Sequence, residues 1–310
     1  MKYARRSCFV KIVVTFCLFP CSRLVTQIPS PSQTLDWYKS RGDYLVPEIR
    51  KQIRKGLSAE DRKTESEIQY DVIATWNANA QAVRLHGVER TGIGAGLLAV
   101  IDWVSTAMAI DGRLNRPQCG EEYIMALSDA ILNNSDAAGG SGKFKVVGSP
   151  FLFAQSQSKI CSGVSLATFK ADEKADDLRE LWISGSLDFI LAHELGHHVL
   201  GHTSRNPSSY PESRERESAA DKFAFKTMAA AGSNPVLSMP IFLLWGQLEG
   251  FSIEGEGTHP AGIKRMKAMV AAAQEVIDSD PEMKEAMRRN DSKGQWQQLV
   301  KALDEQLGAN

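Results

Sequence analysis

Residues 187–202 leave the chain little choice of local structure. Leu187, Ile190, Leu191, Leu195 and Val199 recur at helical spacing, so the stretch reads as a helix with an apolar face against a core. His193 and His197 stand at i and i+4, one turn apart on one face of that helix, with Glu194 beside the first. Two imidazoles so placed can grip one cation. Zinc takes such neutral nitrogens at about 2.0–2.1 Å and, when catalytic, keeps a position for water that a neighbouring glutamate can deprotonate. The pattern His193-Glu194-Leu195-Gly196-His197 is therefore the signature of a zinc metallohydrolase. The competing reading, a surface helix that happens to hold two histidines, fits the apolar stripe poorly. Gly196 costs about 0.8–1.0 kcal/mol against Ala inside a helix, which points to close approach of a neighbouring segment. His198 and His202 are also i and i+4, but they continue the stripe of Leu191 and Leu195, so packed or capping side chains are expected there rather than ligands.

A third protein ligand is needed, and Glu217 offers one. Glu217 and Asp221 are again i and i+4, and residues 222–231 read as the continuation of a helix. Ser209 with Glu212 makes a capping box at its start, and Gly232 with Pro235 a stop. Two facing helices would supply His193, His197 and Glu217. Asp221 would accept a hydrogen bond from the far ring nitrogen of a ligand histidine and so orient it. Against this stands a solvated acidic face, because Arg214, Glu215, Arg216 and Glu217 alternate in sign. The preceding histidine pair favours the ligand.

His193-Glu194-x-x-His197 followed by Glu217-x-x-Ala220-Asp221 resembles the gluzincin peptidases of the HtpX and CAAX-prenyl-endopeptidase family, which includes soluble periplasmic quality-control members. Thr258-His259-Pro260 adds to the likeness, since that family carries a His-Pro after its glutamate helix. The resemblance spans roughly residues 145–275. It implies an α+β, mainly helical fold, a minimal zincin with a small sheet beside the metal-binding helix, and one zinc ion per chain. It implies Glu194 as general base and His259 as a second donor to the substrate oxygen. It also implies an edge strand over the cleft that pairs with extended substrate. The several membrane spans of that family's embedded members are not seen in this sequence.

The rest of the chain is divided by texture. Residues 1–30 carry Lys2, Arg5 and Arg6 before a short apolar run, the order of an export signal, although Lys11 interrupts it and no clean cleavage site follows. A cytosolic N-terminus or a membrane anchor are the alternatives to a periplasmic or otherwise extracytoplasmic location. Residues 31–115 read as an N-terminal helical region, with Ile49, Ile53 and Leu57 on one face and then Ile68, Val72 and Trp76 at four-residue steps. His86 stands alone there and is treated as structural. Gly92, Gly94 and Gly96 invite a nucleotide-loop reading, yet no strand pattern is evident before them. The following apolar stretch reads as a buried helix packed through small residues, since Asp102 would cost about 2.5–3.5 kcal/mol in a membrane. Residues 116–280 form the metallopeptidase domain, in which 144–147, 151–154 and 164–169 are β-prone, the last being placed as the substrate strand. Pro235–Leu248 is apolar and closes the core, 261–277 is a helix with Ile263, Met266, Met269, Val270 and Ala273 inward, and 281–310 ends in an amphipathic helix. Cys119 and Cys161 are either a disulfide or two buried thiols.

A net charge of −1 gives no reason to expect nucleic acid, and peripheral membrane association is the minority view. The sequence thus leads to a zinc-dependent endopeptidase acting on protein or peptide, in extracytoplasmic quality control. Its rival is a zinc-stabilised chaperone-like module with latent or no protease activity, against which an intact Glu194 argues. Oligomeric state is open.

Overall fold

Helix α1 (Leu35–Gly56) turns Tyr38, Leu45, Val46, Ile49 and Ile53 inward in the 3.6-residue pattern of an amphipathic helix. Helix α2 (Ala59–Glu67) begins at Ser58, whose hydroxyl accepts the Asp61 N–H at 3.1 Å. The structure, a computed structural model, describes residues 35–114, 118–138, 147–158, 160–248 and 262–279, with a few isolated positions towards the C-terminus.

The sheet lies where a helix was expected. Within the stretch 68–76, Gln69–Ile73 form strand β1, followed by β2 (Ala80–Leu85) and β3 (Val88–Gly94) in the order β1-β3-β2. β1 runs parallel to β3 and β2 antiparallel to it. The four-residue steps of Ile68, Val72 and Trp76 were too short a run to separate the two periods, and β-branched Val72 and Ile73 suit a pleated surface. His86 and Gly87 have φ of 51° and 82°, the double positive φ of a tight hairpin turn, so His86 is structural in a specific sense. A strand does precede the glycines at 92, 94 and 96. A Cβ on Gly94 or Gly96 would collide with the carbonyls of Asn77 and Trp76, and the Gly96 N–H donates to Thr75 O at 2.8 Å. The crossing segment 75–79 uses these glycines for packing.

Helix α3 (Ala95–Arg113) is long and apolar enough to cross a membrane, but here it is the central core helix. Its Asp102 is buried and ion-paired with Arg179, at 2.6 Å, and accepts the Tyr38 hydroxyl at 3.1 Å. Helix α4 (Cys119–Ala138) starts at a disulfide, Cys119–Cys161, with Cα atoms 5.0 Å apart.

Two segments expected as strands are helices: 151–154 lies in α5 (Pro150–Ser156) and 164–169 overlaps α6 (Leu166–Lys170). The β-prone side chains are overruled by helix-start chemistry. Ser149 caps α5 with Pro150 in its first turn, and Ser165 caps α6 by accepting the Thr168 N–H at 3.1 Å. The role given to 164–169 as substrate strand therefore falls. Residues 144–146 lie outside the described residues, as do the leader, the 251–257 loop and the 296–299 part of the expected terminal helix.

Helix α7 (Glu173–Val199), started by Asp172, runs through the molecule with Trp182, Leu187, Phe189, Leu191 and Leu195 fully buried. A 3-10 turn (His202–Ser204) leads to α8 (Tyr210–Ala230), whose start is the expected one: Ser209 Oγ accepts the Glu212 N–H. Its end is also as expected. Gly232 at φ 78° donates to Ala229 O, and Ser233 to Met228 O, a Schellman closure. A 3-10 turn (Pro235–Ser238), α9 (Met239–Leu248) and α10 (Gly262–Ser279) close the core, with Met266, Met269, Val270 and Ala273 inward; the Ile263 side chain lies outside the described residues. The result is an α+β, mainly helical fold with a small mixed sheet beside α7. One hydrophobic cluster extends from Tyr38 to Ile277.

Candidate metal centre

Two helices meet where the ligands were expected. α7 and α8 pack closely at Gly196, where a Cβ would lie 3.3 Å from Ala220 Cα and 3.2 Å from the Phe223 ring. The missing side chain lets α8 approach, as inferred from its cost in a helix. Across that contact Glu217 faces His193 and His197.

The three side chains converge on one point. Nε2 of His193 and Nε2 of His197 are 3.1 Å apart, and Glu217 oxygens lie 3.3 Å from the first and 3.4 Å from the second. A tetrahedral ion with bonds of about 2.0–2.1 Å spaces its ligands by roughly 3.3–3.4 Å, so the triangle fits a single small cation. Among the described residues these three form a group able to hold a metal. Glu194, buried on the same helix, lines the same cleft.

Behind the triangle the expected partner is present. Asp221 Oδ1 lies 2.9 Å from His193 Nδ1. Burial alone would push Asp221 towards the neutral acid, but the charge of Arg265 and the hydrogen bond to His193 hold its pKa below the ordinary value. Burial likewise disfavours a charged His193; hydrogen bonds to Asp221 and Glu217 and the charges of Asp221 and Glu194 outweigh it, raising His193 to about 10.

Arg265, on α10, escaped the sequence reading. Its Nε and Nη2 donate to both Asp221 oxygens at 2.7 Å, and its guanidinium lies 4.2 Å from the Trp245 ring centre and 5.5 Å from that of Phe242. The available signal was a lone arginine four residues before Met269, on the apolar stripe of its helix. His198 is packed, as expected: Nδ1 meets Glu89 at 2.8 Å and Nε2 meets Thr91 Oγ1 at 3.1 Å, tying β3 to α7, with burial lowering its pKa. His202 lines the cleft with Nδ1 3.0 Å from His197 Nδ1, and burial pushes it down to about 4. His259 lies outside the described residues.

The wall of the cleft is the sheet edge. Residues Ala80 to Leu85 of β2 line it together with Phe189, Trp245 and Pro207. In a two-residue hairpin Leu85 and Val88 form a hydrogen-bonded pair, so by alternation Val83 and Gln81 bond to β3 while Ala80, Ala82 and Arg84 aim their backbone groups outward. The available signal was the short turn His86-Gly87 between two runs holding Val83 and Leu85 on one side and Val88 and Ile93 on the other.

Fold and geometry together bring a helix-borne His-His-Glu group able to hold a cation, with a buried glutamate beside it, under an exposed strand edge. Residues 165–286 match the family described as Peptidase U49, less than half of the chain, and this supports a peptidase acting on protein or peptide. No curated protein and no solved structure gives a significant match.

Proposed function

We propose that the chain is a zinc-dependent endopeptidase, extracytoplasmic and acting in protein quality control. The convergence of His193, His197 and Glu217 at tetrahedral spacing, with Glu194 lining the same cleft, carries this reading. The Peptidase U49 match, which covers all four residues, supports the peptidase part of it. Two neutral imidazoles and a carboxylate favour zinc over harder cations. The Cys119–Cys161 disulfide favours an oxidising compartment.

Bound zinc would polarise the scissile carbonyl and lower the pKa of its water to about 7. Glu194 takes the proton of that water and returns it to the departing amine nitrogen. Asp221, held by Arg265, keeps the His193 ring turned to the cation. The outward backbone groups of β2 receive an extended peptide as an added strand, the role first assigned to 164–169. By the family resemblance, His259 donates to the carbonyl oxygen as charge develops there.

Metal content by mass spectrometry and cleavage of unfolded casein test this together. Wild type should hold one zinc and cleave; Glu194→Gln should keep zinc and lose cleavage; Glu217→Ala should lose both. Retained turnover in Glu194→Gln would sink the mechanism, and a wild type without metal would sink the site.

A further inference from the structure

A histidine that binds a cation through Nε2 must carry its proton on Nδ1, and that N–H needs an acceptor if the ring is to stay in place. For His193 the acceptor is a carboxylate, Asp221. For His197 the structure offers a second imidazole: Nδ1 of His202 lies 3.0 Å from Nδ1 of His197. With the His197 proton on Nδ1, the His202 nitrogen opposite accepts it, and the proton of His202 resides on its own Nε2. His202 meets His197 on the side away from the triangle, so it is not a fourth ligand. Its ring centre is 5.1 Å from that of His197.

We propose that His202 is a positioning residue that fixes the tautomer and orientation of His197, an inference that rests on the metal site proposed above. The segment carrying it is held for that purpose. Gly201, at φ 71°, ends α7 and turns the chain into the His202–Ser204 turn, where the Ser204 hydroxyl donates to Gly201 O at 2.7 Å. Arg216 of α8 donates to the backbone oxygens of His202 at 3.0 Å and Arg205 at 2.8 Å, while its other nitrogen donates to Glu212 at 2.6 Å. Arg216 immediately precedes Glu217. The helix that delivers the third ligand therefore also anchors the loop that steadies the second, and each ligand histidine is oriented by a group that α8 supplies or holds.

Three substitutions separate this role from packing. Asn at 202 places its amide oxygen near the position of the imidazole Nδ1, Gln places it near Nε2, and Ala removes the acceptor. Zinc affinity is measured by competition with a chromophoric chelator, and folding by circular dichroism. His202→Ala should bind zinc about 10–100-fold more weakly than wild type, the usual cost of losing such a partner, with the fold intact. His202→Asn should return affinity to near the wild-type value and His202→Gln should not. If His202→Ala does not fold, the Asn and Gln variants decide the matter alone. Equal affinity of those two, or an unchanged His202→Ala, overturns the proposal while leaving the metal site standing. A wild type that binds no zinc removes both.

Discussion

Asp188 sits one turn and a half before His193 and is almost wholly buried. One oxygen accepts the Ser233 hydroxyl at 2.8 Å and the other has no hydrogen-bond partner among the described residues. Burial pushes its carboxyl up to about 7, against smaller lowering effects from Ser233 and Lys55. A raised acid binds protons more readily folded than unfolded, so its contribution is fully present below about pH 4 and is lost as pH rises through 7. Asp188→Asn should accordingly raise stability at pH 8, by on the order of 2 kcal/mol, and change it little at pH 4. Urea unfolding at the two pH values checks this; an equal effect at both would refute it. Arg265 shows the opposite treatment of a buried acid. It satisfies both oxygens of Asp221 and lies against Trp245, so this carboxylate stays charged. The pairs His193–His197 and Glu217–Asp221 were each legible because i, i+4 spacing is a local property of a helix, and the need for a third ligand together with the family resemblance joined the two pairs. Arg265 and His202 were not, since their partners lie on other elements and only packing brings them together.

At the scale of elements, β2 lines the cleft and is where we propose that the substrate backbone pairs. Proline is tolerated on a strand edge where its missing N–H faces away from the sheet, and Ala82 occupies such a position. Ala82→Pro should leave zinc content and fold intact while lowering kcat/KM for casein by about tenfold or more, because one hydrogen bond to the substrate backbone is lost and the edge is obstructed. Unchanged turnover would show that peptide binds elsewhere. The boundaries of α8 were readable from Ser209, Glu212 and Gly232, each of which acts within its own turn. The sheet was not, because β1 and β3 pair in parallel across the hairpin and that pairing is stronger than the local spacing of Ile68, Val72 and Trp76. Ser149 and Ser165 teach the converse: a cap followed by a short apolar run makes a helix even when its side chains suit a strand.

Over the whole molecule, the segments before and after residue 115 share one core. Tyr38 and Arg41 of α1, Asp102 of α3 and Arg179 and Glu180 of α7 form a buried ionic cluster between them. Such a cluster is costly to break, because removing one charge strands the others. The disulfide acts at the same scale. It closes a loop of 42 residues, and cross-linking a loop of that length stabilises by about 4 kcal/mol in the chain-entropy account. Cys119→Ser with Cys161→Ser should lower Tm by several degrees, and a reductant should do the same to wild type and nothing further to the variant. An unchanged Tm would mean the bond does not form.

Residues 165–286 contain every side chain assigned to the cation and its water, but not β2, which lies some eighty residues earlier. The family match thus covers the proposed ligands and base and leaves the proposed peptide-pairing edge outside it. If β2 seats the substrate backbone, its side chains are free to vary only while the strand edge and the Glu89 and Thr91 contacts that hold β3 to His198 of the metal helix are kept.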